Sequence, residues 1–270
     1  MGILKRLSAA PLSIRYYQVT NGVINWMLGE RMNILHVAEY PRCGGTWTRH
    51  MMQDAMDVQQ YAYDRMLTKN TIIQCHSLPN SQIRKAVVVL RDPRDSIVSF
   101  YHKKIAFDKS ISGKSTVGFA NYRHDPDLDV QEDFANYLES HLTTPEHPRF
   151  TFNQFAKAWM KQSNTCVVRY ENFKVDPVAE LEKITIFAGK QISKEKLTEA
   201  VEKNSFANRT KQRSGKSRKP GQSDAGQFER KGIVGDWKNL FNQRAKDTFL
   251  KYEGETLKLL EYETNENWAN

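Results

Sequence analysis

Leu35-His36-Val37-Ala38-Glu39-Tyr40-Pro41-Arg42-Cys43-Gly44-Gly45-Thr46-Trp47 is the stretch on which the reading of this chain turns. Ile34 to Ala38 is short and mostly apolar, as in a strand covered on both faces, and Thr46 to Met56 has the composition of a helix. The glycine pair between them lets backbone N–H groups converge on a ligand with no Cβ in the way. The positive end of the following helix adds to the attraction, so phosphate or sulfate is the natural guest. Strand, glycine turn and helix also make plain connections in α/β proteins, and the turn alone does not settle a function. It is not the NTPase pattern G-x-x-x-x-G-K-[ST], because Arg42 precedes the glycines and no Lys-Ser or Lys-Thr follows them, nor is it G-x-G-x-x-G.

A second segment, Ala86 to His102, strengthens the anion reading. Its apolar run Ala86-Val87-Val88-Val89-Leu90 ends in Arg91, and Pro93 stands where a helix can begin. In that helix Asp95 and Ser99 are one turn apart, so Ser99 has a defined face and could share one phosphate with Arg91.

Outward from these two segments, strands are expected at 33–39, 71–75, 85–90 and 165–170. Helices are expected at 45–57, 93–106, 128–140, 151–162, 176–188, 193–203 and 242–260, with Gly254 a weak point in the last. Phe134, Tyr137 and Leu138, then Phe152, Phe155, Ala156 and Trp159, recur at helical spacing and read as core. Alternating strands and helices give a parallel sheet with crossover helices, whose ligands sit at the carboxyl ends of the strands. The 270 residues hold no internal repeat or long linker. The fold class is therefore α/β, one domain over 1–270 with a central parallel sheet flanked by helices. Residues 1–31 are expected as an N-terminal extension packing on it, and 207–231 as a mobile basic lid loop.

Four blocks together resemble the sulfotransferases that use 3′-phosphoadenosine-5′-phosphosulfate (PAPS). Tyr40 to Trp47 is similar to that family's 5′-phosphosulfate loop, and Arg91 to Ser99 to its 3′-phosphate block. Arg169-Tyr170-Glu171-Asn172-Phe173 is similar to the element that closes over the adenine side. Arg230-Lys231-Gly232-Ile233-Val234-Gly235-Asp236-Trp237-Lys238 is close to its C-terminal R-K-G-x-x-G-D-W-K. The resemblance implies a nucleotide-kinase-like, P-loop-like fold and PAPS as co-substrate, released as 3′-phosphoadenosine-5′-phosphate (PAP). It implies that Arg42 faces the sulfonate, where a planar guanidinium can donate two hydrogen bonds. Cys43, Gly44, Gly45 and Thr46 would form the cradle of the 5′-phosphate, and Trp47 would stack on adenine unless it is ordinary core. Arg91, Ser99, Arg230, Lys231 and Gly232 would hold the 3′-phosphate, and Tyr170 would touch the base edge.

For the chemical step, Thr71 to Pro79 reads as a short strand ending in a polar turn. Many family members carry K-T-H-L-P here, with the histidine as general base, and His76 matches that histidine. Imidazole titrates near neutrality, and general-base catalysis is worth roughly 10²- to 10⁴-fold in rate. Gln74 replaces the usual lysine and Ser77 is an extra residue, so Arg42 and the helix N-terminus must supply more of the electrostatic stabilisation. Glu39 is the alternative base, because some sulfotransferases of this fold use a glutamate.

The other histidines carry less. His36 reads as core, His50 and His102 as packing or surface, and His124, His141 and His147 as solvated residues in polar loops. No H-E-x-x-H or Cys-x-x-Cys spacing occurs, and a transferring sulfonate does not demand a divalent metal, so none is expected. The three cysteines, Cys43, Cys75 and Cys166, form no even disulfide framework, which favours a cytoplasmic location.

The formal charge of +9 raises a nucleic-acid-binding module as a rival, and a P-loop-like kinase is the enzymatic one. The basic excess gathers in Arg209, Lys211, Arg213, Lys216, Arg218, Lys219, Arg230 and Lys231, among glycines and prolines, and suits a loop over a polyanion. No nucleic-acid-binding motif accompanies it, so no nucleic-acid partner is expected. The acceptor class, small molecule, lipid or saccharide, stays open, as does the choice between hydroxyl and amine. The apolar stretches of the first thirty residues are too broken for a transmembrane span. They leave packing on the domain, peripheral membrane contact or acceptor-pocket formation open.

Overall fold

The computed structural model describes residues 12–62, 65–110, 122–145, 148–215, 219 and 230–270. Its centre is a five-stranded sheet in which every pairing is parallel. The strands are β1 (Leu35–Glu39), β2 (Gln59–Gln60), β3 (Thr71–Cys75), β4 (Ala86–Leu90) and β5 (Thr165–Arg169), in spatial order β2-β3-β1-β4-β5. β1 and β4 are buried at every position, the pattern of strands with helices on both faces, whereas edge strand β5 alternates.

The helices are α1 (Leu12–Leu28), α2 (Gly45–Met56), α3 (Pro93–Ser110), α4 (Val130–Thr143) and α5 (Phe152–Trp159), then α6 (Tyr170–Val175), α7 (Pro177–Phe187), α8 (Lys194–Lys203), α9 (Phe206–Ser214) and α10 (Gln243–Leu259). Local chemistry sets their starts. Thr151 and Gln154 form a reciprocal capping box on α5. Asp176 caps α7 with Pro177 in its first turn, and Asn242 caps α10. One buried cluster packs α2, α5, α7 and α8 against the sheet, and a second joins α3 to α4 and α10. The chain passes from β1 out to β2 and β3, then returns across β1 to β4 and β5. That reversal opens a crevice at the carboxyl ends of β3, β1 and β4.

Three expectations change. Arg209, Lys211 and Arg213 lie in helix α9, not in a loop. Ser205 accepts the Asn208 N–H at its start, Thr210 is buried, and Gly215, at φ 71°, closes it. Residues 216–218 and 220–229 of the expected lid lie outside the described residues. His141 lies within α4, half-buried, its ring 3.1 Å from the Tyr40 hydroxyl, and desolvation pushes its pKa down to about 4. His124 is not solvated either, because its Nδ1 lies 2.8 Å from Asp133 Oδ2. His147 lies outside the described residues. α1, α6 and the short edge strand β2 went unanticipated, and α10 runs unbroken through Gly254.

Candidate active site

A cleft of about 420 Å³ opens at the carboxyl ends of the central strands. Its floor is the turn between β1 and α2, where Arg42 (φ 74°) and Gly44 (φ 103°) both adopt left-handed backbone. A Cβ on Gly44 would stand 2.9 Å from the Tyr170 ring, so only glycine lets the turn lie against that aromatic. The Gly45 N–H donates to Glu39 Oε2 at 2.5 Å. The N–H groups of Thr46 and Trp47 follow in the first turn of α2, where helix geometry provides no carbonyl for them.

Arg91, at the end of β4, is buried, lies 3.8 Å from the Asp95 carboxylate on α3 and is held by three further neighbours. One terminal nitrogen donates to the Arg42 carbonyl and the other to the Ile233 carbonyl, both at 3.2 Å, and the guanidinium lies 4.3 Å over the Tyr170 ring. Its Nε is buried with no hydrogen-bond partner among the described residues. Ser99 Oγ accepts from Arg42 Nε at 3.1 Å. Arg91 and Ser99 therefore meet through Arg42, and all three line the cleft.

The C-terminal block closes the same wall. Arg230 and Lys231 both pair with Asp236, the lysine at 2.7 Å. Burial pushes the Asp236 carboxyl up, but hydrogen bonds from Lys231 and Arg230 prevail and hold it at about 2. The N–H groups of Gly235 and Trp237 donate to Asp95 on α3, at 2.8 and 3.0 Å, which ties this block to the helix bearing Ser99. Gly232 (φ 64°) leaves 2.5 Å between a built Cβ and the Phe206 ring, another place where only glycine fits. Trp47 donates its indole N–H to the Asn204 carbonyl at 2.8 Å and packs edge-on to Tyr170. The side chain of Cys43 does not face the cleft. It is fully buried 3.2 Å from Ser96 Oγ, and burial pushes its thiol pKa well up, so only its backbone could serve a ligand.

His76 follows β3, and its Nδ1 lies 3.0 Å from the Glu39 main-chain oxygen. A carbonyl oxygen only accepts, so Nδ1 is the donor in this contact, and the neutral tautomer compatible with it has its lone pair on Nε2. The extra Ser77 is accommodated because its carbonyl accepts the Trp159 indole N–H at 3.0 Å. Gln74, at the position of the family pattern's lysine, donates to Glu39 Oε1 at 2.6 Å and accepts from Arg49 Nε at 3.0 Å. Arg49 is further bound by Gln53 and Gln60, both at 2.6 Å. Its charge thus stands behind the turn without entering the cleft lining.

Lys103, Lys174, Asn204 and Phe206 also line the cleft and were not anticipated, and Arg209 of the expected basic lid lines it from helix α9. Lys103 was within reach of sequence reasoning, being one turn beyond Ser99 on the same helix. Burial and the nearby Arg42 and Arg213 lower its pKa, and burial with Arg91 does the same for Lys174. Among the described residues no group of His, Cys, Asp and Glu could hold a metal ion.

A parallel α/β sheet with a cationic, glycine-floored cleft at its switch point is suited to an anionic ligand. Residues 64–261 match the sulfotransferase domain family, and the chain belongs to that family. The match contains three of the four blocks, the 40–47 turn lying ahead of it. Sulfotransferase 6B1 of Mus musculus is 23% identical over 236 residues, covering 77% of this chain and 70% of the relative. A flavonol sulfotransferase-like protein of Flaveria bidentis is 27% identical over 216 residues, covering 74% and 65%. The fold is shared with mouse sulfotransferase SULT7A1 complexed with PAP, at a TM-score of 0.63, 20% identity and coverage of 86% of this chain and 90% of that one. Retinol dehydratase in complex with androsterone and inactive cofactor PAP gives 0.58 at 18% identity, covering 90% and 86%.

Proposed function

We propose that this single-domain sulfotransferase binds PAPS in the cleft and uses His76 as the base that deprotonates an acceptor hydroxyl or amine. The Nδ1 contact to the Glu39 carbonyl carries this reading, because it leaves Nε2 as the proton acceptor beside the anion-binding turn. The residues fit the donor: Arg91 keeps a buried, unsatisfied Nε, and Lys103 and Lys174 line the same space without a carboxylate partner among the described residues. Arg91, Ser99, Arg230, Lys231 and Gly232 would hold the 3′-phosphate, and Gly44, Gly45 and Thr46 the 5′-phosphate. Trp47, Tyr170 and Phe206 offer aromatic surface to the base, and Arg42 a guanidinium to the sulfonate. When bound, PAPS supplies an electrophilic sulfur and a stable leaving group, PAP. Nε2 takes the acceptor's proton as its oxygen or nitrogen attacks. The cationic wall offsets charge gathering on the 5′-phosphate as its bond to sulfur breaks.

Solution calorimetry with PAP, ATP and a DNA oligomer tests the donor, and transfer of labelled sulfonate from PAPS to an acceptor panel tests the reaction. Micromolar PAP binding, with ATP and DNA much weaker, supports the reading. Equal affinity for ATP overturns it.

A further inference from the structure

α1 is amphipathic in the inverted sense. Its buried positions, among those whose side chains are described, are Asn21 and Asn25. Asn21 donates to the Arg65 carbonyl at 2.8 Å and accepts the Leu67 N–H at 2.7 Å, and Asn25 donates to the Gln82 carbonyl at 2.8 Å. The helix is therefore laid between segments 65–67 and 82–84 by polar contacts with main chain. Among the side chains described, its outward face is apolar: Tyr16, Val19, Val23, Trp26 and Met27 are 63, 59, 51, 50 and 64% exposed. These positions follow helical spacing and form one stripe.

Exposed cations flank the stripe on both sides. Arg65 and Lys69 stand on the segment that receives Asn21, and Arg84 on the segment that receives Asn25, where its guanidinium donates to the Trp26 carbonyl at 3.4 Å. Arg31 lies just past the helix end, with Glu30 the acid beside it. An identical copy docked on this face would bring its own cations against these. A surface bearing negative headgroups over hydrocarbon is complementary to both the apolar stripe and its flanks. None of the described helices is long and apolar enough to cross a membrane, so the helix would lie on that surface.

We infer that the outer face of α1 is a docking surface for an anionic lipid bilayer, with Val23 and Trp26 entering the headgroup region and Arg31, Arg65, Lys69 and Arg84 contacting the headgroups. Co-sedimentation of the whole 270-residue chain with vesicles tests it. One set is phosphatidylcholine alone, and the other adds phosphatidylglycerol at about 30 mol%. Binding to the anionic set should exceed binding to the neutral set by about tenfold at low salt and fall as salt rises. Val23→Glu with Trp26→Glu should reduce it by about tenfold or more. As a variant with no apolar change, Arg31→Gln with Lys69→Gln should lower binding to anionic vesicles alone and leave thermal stability unchanged. Absence of recruitment, or equal recruitment by both sets, overturns the inference. So does a dimer in sedimentation equilibrium that Val23→Glu with Trp26→Glu dissolves, since a second copy would then be the occupant.

Discussion

Glu39 places its carboxylate on the Gly45 N–H at 2.5 Å, so the turn proposed to hold the donor's anion has a carboxylate of its own. The same carboxylate receives the Gln74 amide, and Arg49 stands behind that amide. Glu39→Gln keeps an acceptor for Gly45 but removes the charge facing an incoming donor. PAP should then bind about tenfold tighter, or about 1.4 kcal/mol, which is modest beside a bare Coulomb estimate because solvent screens it. Calorimetry on the variant reads this directly. Unchanged affinity would mean that Arg49 already neutralises Glu39.

Arg91 should discriminate between nucleotides. Arg91→Ala is expected to weaken PAP by about 1.5–3 kcal/mol, the worth of a charged hydrogen bond, while hardly affecting the analogue without the 3′-phosphate. Arg91 also braces the Arg42 and Ile233 carbonyls, so the two nucleotides must be compared on the same folded variant. Equal losses for both would remove the 3′-phosphate from this residue.

His76→Ala should cut turnover by roughly two to four orders of magnitude with PAP affinity preserved, because a base acts only as the acceptor attacks. Acceptors that ionise readily should lose less than aliphatic alcohols. Near-normal turnover in this variant, combined with collapse in Glu39→Gln, would move the base to Glu39.

Glu253 gives the protein a pH dependence away from the cleft. It is buried on α10, accepting from Thr256 Oγ1 at 2.5 Å and the Asn153 N–H at 3.2 Å, and burial raises its carboxyl pKa from 4.5 to about 7. Between those values the native state keeps a proton that the unfolded chain has released, so stability should fall as pH rises through the window and level off above it. Glu253→Gln should flatten that slope and raise stability at pH values above about 8 by up to about 3 kcal/mol, with little change near pH 4. Thermal unfolding of both proteins across this range checks it.

Four of the five strands were legible because they are short and mostly apolar, β4 wholly so, and most helices because capping residues and aromatic spacing mark them; the two-residue β2, Gln59–Gln60, carries no apolar signal and was missed. α9 was not, since Phe206-Ala207-Asn208-Arg209-Thr210-Lys211-Gln212-Arg213-Ser214 has little apolar periodicity and its helix is set by the Ser205 cap and Gly215. His141 was misplaced because α4 runs past the expected end at 140 and sets it against Tyr40. The motif residues of the cleft were readable one block at a time. The link from Glu39 through Gln74 to Arg49 was not, because it depends on the β1–β3 register that pairs Val37 with Gln74.

The polar seating of α1 also shapes how the protein should melt. A helix held through Asn21 and Asn25 exposes little apolar area when it lifts away, so its release should carry a small heat-capacity change and respond weakly to denaturant. Hydrogen exchange in α1 should then be nearly independent of urea at concentrations that already loosen the sheet, which would make α1 a separate unit of local opening.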